Sequence, residues 1–188
     1  MLGSRRITEE AEDVEYDFTP PDLGMVAWVY PPSGAVNNTL LTGGQLIAAR
    51  VKLPRAKLIT GVVAFVVTAG ITLTADQCFA GLLDSAGVRI ESSAEQSAQW
   101  QSTGEKRMPL AAQYPAPAGE YYGVLLANGA TLPAFSRATG AAAQASNIGR
   151  SAPAWRWATS GAGLTVLPAS VDLGAASGSA NSIWLGLY

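Results

Sequence analysis

A chain of 188 residues has the size of one domain, and a formal net charge of −2 with 14% charged residues leaves no basic stripe suited to nucleic acid. The absence of histidine and the single cysteine, Cys78, exclude Ser-His-Asp and Cys-His nucleophile systems, the commonest metal ligand and an internal disulfide framework. With 33 alanines, 20 glycines and 15 serines the surface is small and neutral, as in a subunit that packs against neighbours or in a secreted or high-GC-genome protein with Ala-rich loops.

Met1–Pro32 reads as an extended N-terminal arm, an anchor set apart from a β body over residues 33–188. Met1–Arg6 has no apolar core of a secretory leader, and none is expected. Thr8–Glu12 can form one helical turn with Thr8 as its N-cap. Residues 1–22 hold seven acids against Arg5 and Arg6, whereas the bases of the remainder are scattered. Pro20-Pro21 and Pro31-Pro32 favour extended backbone around the apolar hexapeptide Met25–Tyr30. Met25, Val26, Trp28 and Tyr30 are its candidate anchoring side chains, buried either as a first edge strand or against a neighbouring subunit.

Ser33–Gly44 is loop-like, and Gln45–Leu53 alternates apolar and polar residues as a half-buried strand does. Leu58–Thr68 is a strand, with Ile71–Thr74 continuing it beyond a kink at Gly70. The uncharged run Leu58–Ala75 is at the short limit for a membrane span and carries four threonines, so two buried strands explain it better and no membrane insertion is expected. Gln77–Leu83 and Val88–Glu91 form a hairpin, in which Asp84 closes the turn and Gly87 supplies a left-handed residue. Cys78 lies within the first of these strands as a buried, inert thiol.

Ser92–Trp100 is a strand or a short helical turn, and Lys106–Leu110 enters a Pro-rich loop before the strand Glu120–Ala127. Asn128-Gly129 is a tight turn leading into Leu132–Arg137. Residues 138–182 are a long Gly/Ala/Ser-rich loop, of a length that often carries recognition. Within it, Trp155, Arg156 and Trp157 are the candidate partner or glycan contacts, because alternate strand positions would place both indoles on one face. The same indoles could instead cover the end of the core. Ser182–Tyr188 is a closing strand. Short, evenly spaced strands with no helix-period segment between them predict an all-β, antiparallel β-sandwich.

The elements Gly81–Gly87, Ser93–Trp100, Pro109-Leu110, Pro117–Leu126, Asn128-Gly129 and Trp184–Tyr188 resemble the β-sandwich domains of tail and fibre proteins from bacteriophages that infect actinobacteria. The likeness covers about half the chain, centred on Leu58–Arg137, and is carried by structural motifs. It implies a jelly-roll-like module in the virion, a minor tail, tail-tip or fibre protein with a possible role in binding the host surface. Its implied partners are other virion proteins, further copies of itself (a trimer) and a cell-surface glycan. Capsid decoration or a head fibre is the alternative within that class, and a free carbohydrate-binding module the alternative outside it.

No catalytic constellation accompanies these features, so the chain is expected not to be an enzyme and to need no cofactor or metal. Asp76, Asp84, Glu91, Glu95, Glu105, Glu120 and Asp172 are the only carboxylates of the body. Of these, Glu91 and Glu95 are close in sequence but sit among Ser and Gln as on a solvated edge. No Gly-Lys-Ser/Thr phosphate loop and no acidic calcium loop is present.

Overall fold

A computed structural model describes residues 18–138 and 143–188. The helical turn expected at Thr8–Glu12 and most of the acidic N-terminal stretch lie outside the described residues. The strands in chain order are β1 (Ala27–Trp28), β2 (Asn37–Leu40), β3 (Leu46–Leu53), β4 (Lys57–Thr68), β5 (Ile71–Leu73), β6 (Phe79–Leu83) and β7 (Arg89–Ser92). There follow β8 (Gly104–Ala116), β9 (Gly119–Leu126), β10 (Gly129–Thr131), β11 (Ala134–Arg137), β12 (Trp157–Ser160), β13 (Ser177–Gly178) and β14 (Gly186–Leu187). Two four-residue helices, α1 (Ser97–Trp100) and α2 (Ala143–Ser146), interrupt them.

These strands build an all-β body of two six-stranded antiparallel sheets, A and B, and a two-stranded sheet of β5 and β10. In sheet A, β4 is paired on both edges, with β8 along one side and with β14 and β11 in file along the other. β1 then extends β14, and β2 extends β11. Sheet B has the order β13-β12-β3-β9-β6-β7. The inner faces share one cluster, in which Val62, Ala64 and Val66 of β4 and Met108 of β8 meet Val51 and Leu53 of β3, Leu82 of β6 and Leu125 of β9. Trp100 and Phe135 pack edge to face in it at 5.2 Å.

The outer face of sheet B is covered as well. Leu167, Val171 and Leu173 form a second cluster with Leu46, Ala48, Tyr122, Val124 and Leu126. This strap is sewn down by backbone bonds from Arg89 N to Ala169 O at 2.9 Å and from Val171 N to Gly87 O at 2.8 Å. Asn128 Nδ2 adds a bond to Leu164 O at 2.7 Å. Much of the Gly/Ala/Ser-rich stretch expected to be an open loop is therefore the second wall of sheet B. It also contributes β12 and β13 to the edge of that sheet.

Three further departures have physical causes. Residues 18–32 do not stand off as an extended arm. A 3-10 turn at Pro20–Leu23 leads into β1, which pairs with β14 through Ala27↔Leu187 and Trp28↔Gly186. β5 does not prolong β4, because after Ala69-Gly70 it pairs with β10 in a separate ladder, with Thr72 at its centre left-handed (φ 53°). β8 runs through the stretch read as a Pro-rich loop, which an edge strand permits because its outward N–H groups need no ladder partner.

The β6–β7 hairpin forms with Asp84 Oδ1 accepting from the N–H groups of Ala86 and Val88, both at 2.9 Å. Gly87 has φ +86°, and a Cβ there would stand 2.2 Å from Val171 O. Gly87→Ala should thus both strain the turn and push off the strap, costing about 1–3 kcal/mol. Chemical denaturation measures the loss and proteolysis should begin between residues 160 and 175. Unchanged stability would show that the strap is not held at Gly87.

Candidate interaction surfaces

Trp155, Arg156 and Trp157 do not form an exposed aromatic strand. Trp157 opens β12, is 4% exposed, and belongs to the central cluster. Its Nε1 donates to Ile183 O at 3.0 Å, and the Tyr30 ring meets it edge-on at 6.1 Å. Trp155 precedes the strand, half-buried, with Nε1 donating to Ala176 O at 3.0 Å and its ring against Gly178. The Arg156 guanidinium lies 4.3 Å from the centre of the Trp157 ring, and burial, with Arg150 nearby, lowers its pKa. Asn147 arranges this corner, its Oδ1 accepting from Arg156 N at 2.8 Å and Trp157 N at 3.0 Å. Two indoles on one solvent face, the basis for expecting a sugar platform, are not formed.

The anchoring candidates at the other end of the chain are likewise turned onto their own body. Met25 is buried with Val63 and Trp184. Val26 N donates to Leu187 O at 2.7 Å, and Trp28 is half-buried. Tyr30 donates its hydroxyl to Ser182 O at 2.9 Å, while its carbonyl accepts from Trp184 Nε1 at 2.9 Å. Cys78 is fully buried and its thiol pKa is raised, mainly by desolvation.

Among the described residues two open surfaces stand out by their chemistry. The first is a groove of about 440 Å³ on the outer face of sheet A. Period-2 alternation along β4 puts Val63, Phe65 and Val67 on that face, opposite the inward Val62, Ala64 and Val66. Phe65 is 44% and Val67 38% exposed, whereas the equivalent face of sheet B is covered. Leu23 and Trp184 close the sides, and Ser136 lies in the lining, 5% exposed, its Oγ without a hydrogen-bond partner among the described residues. At the rim Glu105 and Arg107 pair at 2.6 Å. Arg107 also donates to the carbonyls of Gly24 and Leu23 at 3.1 and 3.2 Å, which ties the N-terminal segment to β8.

The second surface is a cavity of about 270 Å³ between β1 and the β3–β4 turn. Pro20, Pro21 and Trp28 form an apolar wall, and Lys52, Arg55 and Lys57 face it. Among the described residues none of these three cations has an ion-pair partner within 4 Å. Glu120, opposite Lys52 in the ladder, is engaged by Arg50 at 2.5 Å and Arg150 at 3.3 Å. Three cations within six residues were a sequence signal, hidden in a count that treated the bases as scattered.

Among the described residues no group of three or more His, Cys, Asp or Glu side chains is placed to hold a metal ion. No described helix is long and apolar enough to cross a membrane. No protein-family model matches the chain, and no curated protein matches it.

Trp157→Ala should remove a core side chain and its hydrogen bond, costing about 3–5 kcal/mol. Trp155→Ala, which empties a half-buried site, should cost less than half of that in the same denaturation series. Equal losses would contradict the assigned burial.

Burial pushes the Tyr30 phenol from 10.0 up to about 12. Burial also raises Tyr121, Tyr122 and Tyr188. The folded state therefore holds these protons after the unfolded chain has released them. Stability is complete below pH 10 and falls as pH rises through about 12. Tyr30→Phe should flatten that fall in pH-dependent urea titrations. A slope identical to that of the parent protein would contradict a buried phenol at this position.

Proposed function

We propose that this protein is a structural subunit of a bacteriophage virion, a minor tail, tail-tip or fibre protein built on a jelly-roll-like sandwich. It works by packing against further copies and other virion proteins rather than by catalysis. The observation that carries this reading is the asymmetry of the two sheets. The chain covers the outer face of sheet B with its own strap, while that of sheet A exposes Phe65 and Val67 beside a groove. An apolar face of this kind on a body with few surface charges is an interaction surface.

A further copy suits the face. Glu105 and Arg107 stand side by side at the rim, 2.6 Å apart, and offer both signs of charge to a facing copy. The resemblance of Leu58–Arg137 to phage tail and fibre modules supports the virion context, and capsid decoration is its alternative location. Mass spectrometry and electron microscopy of purified actinophage particles test it. A few copies at the tail support the proposal, copies on capsid lattice points favour decoration, and absence from the particle removes it.

In the purified protein, Phe65→Glu with Val67→Glu places two charges on this face. The double variant should raise the dissociation constant for self-association more than tenfold, because burying each apolar side chain contributes about 1.5–3 kcal/mol. Sedimentation velocity reads the association and thermal unfolding controls for the fold. Undiminished association by a folded variant would exclude this face.

A further inference from the structure

We propose that the cavity walled by Trp28 is the receptor for the acidic segment Glu9–Asp17 of a neighbouring copy. The proposal rests on the assembly reading above and names a second contact that holds the copies together. Lys52, Arg55 and Lys57 present three positive charges around the β3–β4 turn, with no ion-pair partner among the described residues. Nearby Glu120 is committed to Arg50 and Arg150. Charges so placed on a half-enclosed apolar wall fit a ligand that is both anionic and in part apolar.

The chain carries one segment of that chemistry. Glu9, Glu10, Glu12, Asp13, Glu15 and Asp17 are six acids in nine residues without a base, and Ala11, Val14 and Tyr16 are interspersed. Carboxylates match the three cations, and Val14 and Tyr16 match Trp28, Pro20 and Pro21. The segment extends over at most about 30 Å, enough to place several acids along the turn at once. Pro20 and Pro21 are themselves a wall of the cavity, so the chain that precedes them departs from its rim. Exchange of identical elements is a low-cost way to join protomers.

The test uses the full-length chain, mixed in equal parts as unlabelled and nitrogen-15-labelled protein. A zero-length carbodiimide joins carboxylates to lysine amines. The chain has three lysines, two at the cavity and the buried Lys106 on β8. The expected products link peptides containing Glu9–Asp17 to Lys52 and Lys57, with mixed isotopes in about half of the pairs, as random exchange between copies requires. Arg55→Glu, which leaves both lysines in place, should lower their yield severalfold. So should 1 M salt, where the Debye length is about 3 Å. Links of unmixed isotope only, or a yield that Arg55→Glu and 1 M salt leave unchanged, would overturn the exchange. Self-association in sedimentation without these links would overturn the exchange and leave the assembly reading standing. A monomer without links would remove both.

Discussion

Sheet B is apolar on both faces, and this is the constraint from which the rest of the structure follows. β9 runs Tyr121 to Leu126 with every side chain buried, its alternate residues facing the central core and the strap. Such a strand is stable only if something covers each side, since an uncovered face would leave several large apolar side chains in water. Sheet A supplies one cover. Residues 164–173 supply the other, at the cost of ordering a Gly- and Ser-rich stretch, which the backbone bonds to Gly87 and Arg89 and the Leu167, Val171 and Leu173 contacts offset. Among the described residues, those laid across the outer face of sheet A are fewer, residues 18–35 with Trp184 and Tyr188. They cover Val63 and leave Phe65 and Val67 open.

The same constraint explains which parts of the fold were legible in the sequence. Leu58–Thr68, Gln45–Leu53, Glu120–Ala127 and the Asp84–Gly87 turn announce themselves by apolar runs and turn chemistry, and they became β4, β3, β9 and the β6–β7 hairpin. β8 was read only in part because Pro109 and Pro115 look like breakers until the strand is known to lie at an edge. The strap was missed because its three anchoring side chains are irregularly spaced, at 167, 171 and 173, and fit neither strand nor helix period. Its partner was visible nonetheless: a strand apolar at successive positions demands cover on two sides.

Which of the alternatives held at the candidate contacts was hidden in the sequence for a related reason. Local composition around Trp155–Trp157 is that of a loop, but Trp157 is drawn into the core by β3, with which β12 pairs, and by Tyr30 and Ile183, both distant in sequence. Met25, Val26 and Tyr30 are likewise held by residues 182–187, more than 150 positions away along the chain. Trp28 remains half-buried beside the cations of the β3–β4 turn. What distinguishes the two open surfaces is thus not aromatic content but lack of cover. One is apolar, and the other is cationic against an apolar wall.

The central claim is that sheet A, and not the strapped side of sheet B, is the face used for assembly. Hydroxyl-radical footprinting of dilute and concentrated protein reads side-chain access directly. The account predicts that Phe65, Val67 and Leu23 lose reactivity on association, while Val166 on the strap, 58% exposed, keeps its own. Protection confined to Val166 and its neighbours, with Phe65 as reactive as in the dilute protein, would contradict it.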